Sequence, residues 1–288
     1  MKYFRLFIVV LFILPLIVTQ YVIGQSYRNN TLMADNDTFI VSAQERAMIY
    51  NQFVAMQNIL IESGQISSLV FYYNNEFVTY KVVKYQGRYW LDRNLGAERA
   101  AESITDSLSY GDYYQWGRES DGHQLKDNIS TTKELANPKK QPGHSRFIIA
   151  DEKNGDWTKD NVWVNRWYTG VAKLEENTNV CPAGWHVPTK LEWQLASGGW
   201  RTFNDAFNSP LRISAPLVRL GNGNFTEHPK SLMRSVHYWS STPDDLEKTR
   251  SYVCSLYNDQ PATVAWSFLR VTGLPIRCIK NKSLIIAK

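Results

Sequence analysis

The hydrophobic and polar positions of the chain predict one N-terminal helix followed by a domain of short strands and loops. Large apolar residues recur at the period of one helix face: Ile49, Phe53, Met56 and Leu60. Ser42 and Glu45 form a capping box at the start of this segment, and Gly64 is the expected stop. We predict an amphipathic helix over 42–63 that packs on the main domain or supports weak self-association.

Short apolar runs predict antiparallel strands near the start of the main domain. Three such runs are found there: 69–73, 76–83 and 88–91. Asn74-Asn75 and Gln86-Gly87 separate them, and both pairs suit tight hairpin turns. From 92 to about 167, Gly, Asp, Asn and Pro interrupt every run, so this region is predicted to be mostly loop.

The C-terminal third is predicted to form a second group of strands. We expect them at five places: 209–214, 238–242, 250–257, 263–270 and 274–280. Tyr252, Cys254 and Leu256 alternate with polar neighbours, which indicates an antiparallel sheet with one exposed face. The fold class is therefore α+β, loop-rich, with few helices and short antiparallel sheets.

The segment 181–193, CPAGWHVPTKLEW, has the strongest local specification in the chain. Thr189 and Glu192 form a second capping box, Pro188 stiffens the entry, and Gly198-Gly199 ends the predicted helix after about two turns. Apolar bulk comes from three residues: Leu191, Trp193 and Leu195. We interpret this segment as a structural motif built on five residues: Trp185, Pro188, Thr189, Glu192 and Trp193.

The N-terminus has the pattern of a secretory signal peptide. Lys2 and Arg5 precede an apolar run at 6–18, which is shorter than the roughly twenty residues that span a bilayer. We predict cleavage after Gly24 and a secreted or cell-surface location, with an uncleaved anchor as the alternative. The predicted organisation has four parts: a signal peptide at 1–24, a polar leader and helix at 25–66, a main domain at 67–282 and a tail at 283–288.

Composition and cysteine content narrow the function classes. The formal net charge is +5 without a Lys/Arg cluster, so no nucleic-acid partner is expected. Ten Trp and sixteen Tyr suggest a stacked aromatic core, a carbohydrate-binding surface or both, and the core is the safer explanation. Three cysteines in an exported chain predict one disulfide. We favour Cys181–Cys278 over Cys254–Cys278, which leaves Cys254 as a buried thiol.

Several motifs occur in an order that resembles a known family. They are RYWLDRNL at 88–95, GDYYQWGR at 111–118 with DGH at 121–123, CPAGWHVPT at 181–189 with EW at 192–193, YWSST at 238–242 and IRCIK at 276–280. Together they resemble the Fibrobacter succinogenes major paralogous domain, an exported module of Bacteroidetes and Fibrobacteres, over roughly 77–282. Cys254 and residues 25–66 depart from the family pattern.

The resemblance implies a C-type-lectin-like fold, a surface or secreted protein and no established activity. The Cys181–Cys278 pairing fits what such a fold needs. A distant likeness to formylglycine-generating enzymes through the Pro-Thr-x-x-Glu-Trp segment does not carry their activity over, because Cys254 and Cys278 lack the close spacing of the two catalytic cysteines in those enzymes. We predict an exported, non-enzymatic binding or adhesion module whose partner is a glycan or a protein, with a structural subunit of a surface appendage as the alternative.

The predicted ligand-binding residues lie in loops, which carry function on a fixed scaffold. Flat rings suit stacking on sugar faces and Arg suits polar or anionic groups, while a loop core is the alternative role for the same rings. Two loops supply the candidates: Trp163, Arg166, Trp167 and Tyr168 in the first, and Asn222 and Asn224 in the second.

No catalytic or metal motif is recognisable in the sequence. The five histidines lack metal-ligand spacing, and His186 is interpreted as a hydrogen-bonded structural residue. Asp151, Asn154 and Asp156 resemble a calcium loop, but their spacing departs from the EF-hand pattern. We therefore predict neither a catalytic residue nor a cofactor, with calcium as the alternative to test.

Overall fold

The computed structural model describes nine parts of the chain: residues 32–34, 37–39, 42–137, 141–151, 153–159, 166–167, 179–226, 235–257 and 260–282. The predicted signal peptide and the C-terminal tail lie outside these residues. Two compact units are distinguished, Met1–Met56 and Gln57–Lys288. In the first unit, where the sequence predicts a polar leader, β1 (Leu32–Ala34) and β2 (Asp37–Phe39) pair in an antiparallel arrangement.

The predicted N-terminal helix is α1 (Ala43–Glu62). Its capping box is formed, since Ser42 N donates to Glu45 Oε2 at 2.8 Å and Glu45 N donates to Ser42 Oγ at 3.2 Å. Gly64 adopts a φ of 73° and ends the helix as expected. Among the described residues, no helix is both long and apolar enough to cross a membrane.

The buried face of α1 is not the purely apolar one that the periodicity predicts. Val54, Gln57 and Ile61 are buried, whereas Phe53 and Met56 are only partly covered. Gln57 reaches this face because its side chain donates to Val70 O at 2.8 Å and accepts from Val70 N at 2.7 Å. The spacing of apolar residues does not predict this position, because Gln57 is polar and is buried through its hydrogen bonds to the backbone of Val70.

The larger unit contains a five-stranded antiparallel sheet of order β3-β4-β5-β14-β9. Its strands are β3 (Ser68–Tyr73), β4 (Glu76–Tyr85), β5 (Arg88–Leu91), β9 (Trp185–His186) and β14 (Ile279–Lys280). Asn74 and Asn75 have φ values of 47° and 67°, and Gln86 and Gly87 have 48° and 71°. Both predicted hairpin turns are therefore confirmed, with positive φ at both central residues.

A second antiparallel sheet has the order β10-β11-β12, with β10 (Ser235–Pro243), β11 (Arg250–Tyr257) and β12 (Ser267–Leu269). The expectation of one exposed face is wrong here, because Ser251, Val253 and Ser255 are buried along with Cys254 and Leu256. The serines are tolerated inside since Ser251 accepts a hydrogen bond from Arg270 Nε at 3.1 Å and Ser255 pairs with His237.

Further elements are short. β6 (Tyr114–Gln115) pairs antiparallel with β13 (Gly273–Leu274), and β7 (Thr131–Thr132) pairs with β8 (Phe147–Ile148) in parallel. A 3₁₀ turn spans Ser107–Ser109. The strand expected at 209–214 is absent from this described stretch, where Arg212 takes a φ of 48° that breaks any extended run.

Two short helices complete the described elements, α2 (Lys190–Ser197) and α3 (Phe203–Asn208). The capping box of Thr189 and Glu192 is formed at the start of α2, and Gly198 ends it, as predicted. Of the three residues that supply apolar bulk, Trp193 is buried, whereas Leu191 and Leu195 face solvent. They lie four residues apart on the outer face of a helix that buries only one side.

The predicted disulfide is confirmed. Cys181 and Cys278 are bonded across 97 residues with a Cα–Cα distance of 5.8 Å, and Cys254 is a buried free thiol. Most large rings fill the interior, and seven Trp residues are almost fully covered: Trp90, Trp116, Trp157, Trp167, Trp185, Trp193 and Trp239. The described structure is thus mixed α and β, with few helices and short, mainly antiparallel sheets, as predicted.

Candidate functional site

A polar groove of about 870 Å³ opens beside the β3–β4 hairpin in the larger unit. The tip of the hairpin and β4 supply one side, and the loops after β5 and around residues 122–128 supply the other. We call this feature the polar groove. Its lining is Tyr73, Asn74, Glu76, Val78, Thr79, Tyr80, Arg93, Gly96, Ala97, Glu98, Asp112, Gly122, Leu125, Lys126, Asp127, Asn128 and Ser145.

Tyr73 and Asp112 form the floor of the groove, and a chain of hydrogen-bonded hydroxyl groups behind it ends on the Asp112 carboxylate. Tyr73 OH donates to Asp112 Oδ2 at 2.5 Å, so its oxygen accepts from Tyr114 OH, also at 2.5 Å. The Tyr114 hydroxyl lies 3.2 Å from Ser120 Oγ. Gly96 adopts a φ of 83°, and a Cβ at this position would overlap the Asp112 carboxylate. A glycine is therefore required for the loop to approach the floor.

Burial raises the pKa values of Asp112 and Tyr73. Loss of solvent raises the pKa of Asp112 to about 6, despite the hydrogen bond from Tyr73 that favours the ionised form. Burial also raises the pKa of Tyr73 well above its ordinary value, with the nearby Tyr114 and Asp112 adding to the effect. The floor thus holds a carboxyl group whose charge changes near pH 6, next to hydroxyl groups that stay protonated.

One wall is held rigidly by Arg93 and Tyr80. The guanidinium lies 4.1 Å from the centre of the Tyr80 ring, and it donates to Thr79 O and to Glu98 O. The Tyr80 hydroxyl accepts from Gly96 N at 3.0 Å, and burial raises its pKa to about 12. These contacts join β4 to the loop after β5, so the wall is preorganised.

The rim carries charges of both signs. Glu98 and Lys126 form an exposed ion pair with a distance of 3.3 Å between Oε1 and Nζ, which contributes little to stability and leaves both groups accessible. Glu76 and Asp127 are also exposed at the rim. A ligand in the polar groove therefore meets carboxylate acceptors and a cationic donor within the same opening.

The described loop residues that were proposed from sequence do not line the polar groove. Trp163 and Tyr168 fall outside the described residues. Arg166 is 4 % exposed and Trp167 is 1 % exposed, so both side chains face the interior. Arg166 is buried because its Nη1 donates to Asp156 Oδ1 at 3.1 Å, and Trp167 because it packs at 5.8 Å against the Trp116 ring.

The second proposed loop is accessible but separate from the polar groove. Asn222 and Asn224 are exposed at a turn in which Asn222 Oδ1 accepts from Asn224 N at 3.0 Å. Gly223 between them has a φ of 89°. Neither asparagine lines the polar groove. The four predicted ligand residues that the structure describes, Arg166, Trp167, Asn222 and Asn224, are therefore not brought together at the polar groove.

The residues of the 181–193 motif connect distant segments of the fold by hydrogen bonds, and we call this motif the clasp. Trp185 Nε1 donates to Asn58 Oδ1 at 2.8 Å, and Trp193 Nε1 donates to Trp239 O at 3.0 Å. Pro188 contributes through its carbonyl, which accepts from Ser241 N at 2.8 Å. These bonds link the motif to α1 and β10, in keeping with its interpretation as structural.

Glu192 lies at the centre of this clasp. It accepts from Thr189 N at 2.9 Å, and it pairs with His186 Nε2 and with Arg88 Nη1, each at 2.8 Å. These partners hold the pKa of Glu192 at about 2 although burial opposes ionisation; among them the His186 hydrogen bond contributes most. His186 also bonds Asn281 Oδ1 at 2.6 Å.

The residues considered for calcium are engaged otherwise. Asp151 Oδ1 accepts from Asn154 N at 2.9 Å, and the buried Asp156 pairs with Arg166 and Arg270. Within the described ranges, no group of three His, Cys, Asp or Glu side chains is arranged to hold a metal ion.

Sequence reasoning missed the polar groove because its floor is assembled from distant segments. Tyr73 and Asp112 are separated by 39 positions, and Arg93 belongs to a third segment. One local feature pointed to it: Asp112 lies inside the aromatic run GDYYQWG and follows Gly111, whose φ is 71°. A carboxylate inside such a run is costly to bury unless the fold gives it partners.

Comparison with protein-family models, with curated proteins and with solved structures yields no match.

Proposed function

We propose that this chain is an exported, non-enzymatic binding module of C-type-lectin-like fold that holds a hydroxyl-rich ligand, a glycan, in the polar groove. The observation that carries the proposal is the groove itself, an opening of about 870 Å³ with a preorganised wall and a buried carboxyl floor. The motif resemblance supports the lectin-like fold. So does the topology, since β14 near the C-terminus pairs between β5 and β9.

The chemistry of the lining favours a glycan over an apolar ligand. Asp112 and Glu98 offer acceptors for sugar hydroxyl groups, and Lys126 offers a cationic donor. The Tyr80 ring is covered by Arg93, so recognition depends on hydrogen bonds at the rim and floor. An extended peptide is the protein alternative.

The cysteines are consistent with a non-enzymatic role. Cys181 and Cys278 are joined in the disulfide, and burial raises the pKa of the Cys254 thiol to about 12. A thiol that stays protonated and buried is a poor nucleophile. This supports the proposal that the cysteine chemistry of formylglycine-generating enzymes is absent.

Glycan arrays followed by calorimetry on purified protein test the proposal. We expect a Glu98→Ala, Lys126→Ala double variant to weaken binding of any array hit at least tenfold, because it removes an acceptor and a donor from the rim. The matched control is Asn222→Ala with Asn224→Ala, which alters the exposed loop outside the groove. Loss of binding in the control alone would place the ligand at the loop predicted from sequence. Blank arrays and blank pull-downs with cell-wall material would refute the glycan proposal.

A structural subunit is the second candidate function. Two apolar side chains on α1 face solvent, Met48 at 54 % and Ile59 at 66 %, and they could contact another subunit. Removal of residues 25–66 is a poor test, since Asn58 bonds Ala183 O and Trp185. Light scattering of the unmodified protein and of Met48→Glu with Ile59→Glu is cleaner. An assembly that dissociates in the variant supports self-association through 42–63, and a monomer in both excludes it.

A further inference from the structure

The polar groove carries more negative than positive charge. Four carboxyl groups and two cationic groups line it: Glu76, Glu98, Asp112 and Asp127, and Arg93 and Lys126. Two more arginines follow lining residues in the sequence, but neither lines the groove. Of these, Arg99 is paired with Asp106 and Glu102, and Arg146 comes directly after Ser145. The charge of the opening therefore favours a cationic ligand over an anionic one.

Both cations of the lining are already engaged. Arg93 Nη1 donates to Glu98 O at 3.2 Å, and Arg93 Nε lies 3.8 Å from Asp92 Oδ1. Lys126 Nζ lies 3.3 Å from Glu98 Oε1 at the exposed rim. Burial raises the pKa of Asp112, and the charge of Lys126 opposes this increase only in part. One ammonium group thus serves two carboxylates, and part of the negative charge of the groove stays uncompensated.

Asp112 and Asp127 are the carboxylates that lack a cation. Burial is the main cause of the raised pKa of Asp112, and the negative charge of Asp127 raises it further. Asp112 is 5 % exposed, and its hydrogen bond at 2.5 Å comes from a neutral donor, the Tyr73 hydroxyl. Asp127 is exposed. Neither carboxylate forms an ion pair with a described residue.

Glu192 shows how the same fold satisfies a buried carboxylate with cations. Burial opposes the ionisation of Glu192 as well, but the His186 hydrogen bond and the Arg88 guanidinium, among other partners, lower its pKa to about 2. Asp112 has no such partner, and its pKa moves in the opposite direction. The missing cation is therefore a local property of the groove and not a general feature of partly buried carboxylates in this chain.

An ammonium group on the ligand supplies both of the missing interactions. A sugar hydroxyl can donate a hydrogen bond to a carboxylate, but it brings no charge. An ammonium group donates and also compensates the negative charge, and charge-assisted hydrogen bonds are the stronger ones. Beside a buried carboxylate such as Asp112, this attraction is screened less than at an exposed surface.

We propose that the glycan bound in the polar groove is an amino sugar whose ammonium group pairs with the carboxylates of Asp112 and Asp127. This inference rests on the glycan function proposed above and names the class of glycan. The hydroxyl groups of the sugar meet the exposed Thr79 and Ser145 of the lining. Uronic acids and sulfated sugars should bind weakly, because the same carboxylates repel their negative charge.

Three oligosaccharides with one β-1,4-linked glucose skeleton test the proposal: the tetramers of glucosamine and N-acetylglucosamine, and cellotetraose. They differ only at C2, which carries an amine, an acetamide or a hydroxyl group. Calorimetry is carried out on the purified protein at pH 6, where the amines are largely protonated. We expect the glucosamine tetramer to bind at least about tenfold more tightly than the other two, and added salt should weaken its binding most. Equal affinities, or tighter binding of a neutral tetramer, would overturn the amino-sugar inference and leave the glycan proposal standing.

Variants of the two carboxylates locate the ammonium group. Asp112→Asn and Asp127→Asn should each weaken binding of the glucosamine tetramer at least about tenfold, with a much smaller effect on cellotetraose. Asp127 is exposed, so its variant keeps the fold even if Asp112→Asn does not. Glu134→Gln is the matched control, because Glu134 is an exposed carboxylate outside the groove and its replacement should leave all affinities unchanged. An equal loss in Glu134→Gln would overturn the inference, since the attraction would then come from the overall charge of the protein.

Two further measurements separate the remaining outcomes. The carboxyl NMR signal of Asp112 should titrate at a lower pH when the glucosamine tetramer is bound, because a nearby cation favours the ionised form. An unmoved midpoint would overturn the pairing with Asp112. Tetralysine is the peptide probe: if it binds while all three oligosaccharides fail, the amino-sugar inference and the glycan proposal are both overturned in favour of an amine-bearing peptide.

Discussion

Replacement of Asp112 by Asn should make the protein more stable at neutral pH. Asp112 is buried at the floor of the polar groove, where its carboxylate accepts a hydrogen bond from the Tyr73 hydroxyl and lies close to Gly96. The amide of Asn has nearly the shape of the protonated carboxyl group, and its oxygen can accept the same hydrogen bond. The substitution removes a charge that the site tolerates poorly.

The size and sign of the change in stability follow from the difference in the Asp112 pKa between the folded and unfolded chains. Burial raises the pKa of Asp112 from its ordinary value of 3.8 to about 6, which corresponds to about 3 kcal/mol between the two protonation states. Between these pH values the folded protein keeps a proton that the unfolded chain releases, so stability falls as pH rises. The stabilising contribution is complete below pH 3.8 and is lost as pH rises through about 6. Asp112→Asn should therefore match the unmodified protein at pH 4 and exceed it by up to about 3 kcal/mol at pH 7.

Urea unfolding from pH 4 to pH 8 measures this difference directly. The gap in the free energy of unfolding between Asp112→Asn and the unmodified protein should grow from pH 4 to pH 6.5 and then stay constant. Glu134→Gln is the control, because Glu134 is an exposed carboxylate outside the groove and its replacement should leave the pH profile unchanged. A gap that is the same at pH 4 and pH 7 would refute the reasoning. So would a carboxyl NMR signal of Asp112 that titrates near pH 4.

Three further changes test the scaffold. Reduction or Ser replacement of Cys181 and Cys278 should cost up to about 4–5 kcal/mol in urea unfolding, because the bond closes a loop of 97 residues, and a loss below about 1 kcal/mol would contradict this. Thr189→Ala should cost about 1–2 kcal/mol by the same assay, since it removes the capping box of α2, and an unchanged midpoint would contradict the role of this cap. Gly96→Ala should lower the Tm measured by calorimetry more than Gly64→Ala does. Both glycines have a positive φ, but only Gly96 faces the Asp112 carboxylate. An equal decrease in Tm would contradict a steric role for the Asp112 carboxylate.

Local chemistry allowed much of the scaffold to be predicted. The two hairpins follow from Asn74-Asn75 and Gln86-Gly87, whose residues accept positive φ, and α2 follows from one capping box. In such cases the information lies within a few neighbouring residues. The disulfide was also predicted, although the pairing required a choice between two candidate partners for Cys278.

The errors arose where distant segments decide the environment. Ser251 and Ser255 alternate with apolar residues and so predict a solvent face, but Arg270 and His237 satisfy their hydroxyl groups inside the protein. The stretch at 209–214 has the composition of a strand, yet a positive φ at Arg212 prevents one. The alternation of polar and apolar residues along a strand shows which positions are polar. Whether a polar position is buried depends on whether another segment supplies its hydrogen-bond partner.

The same distinction separates the polar groove from its surroundings. The polar groove depends on a hydrogen bond between Tyr73 and Asp112, two residues that lie 39 positions apart. It uses a carboxylate that a sequence pattern would assign to the surface, and burial moves the pKa of this carboxyl group toward neutral pH. The residues that the fold satisfies completely, such as Glu192 and Arg277, stabilise the clasp and the core. A buried group whose ionised form the fold tolerates poorly, such as Asp112, is therefore the better candidate for binding, and the glycan experiments test this inference at the polar groove.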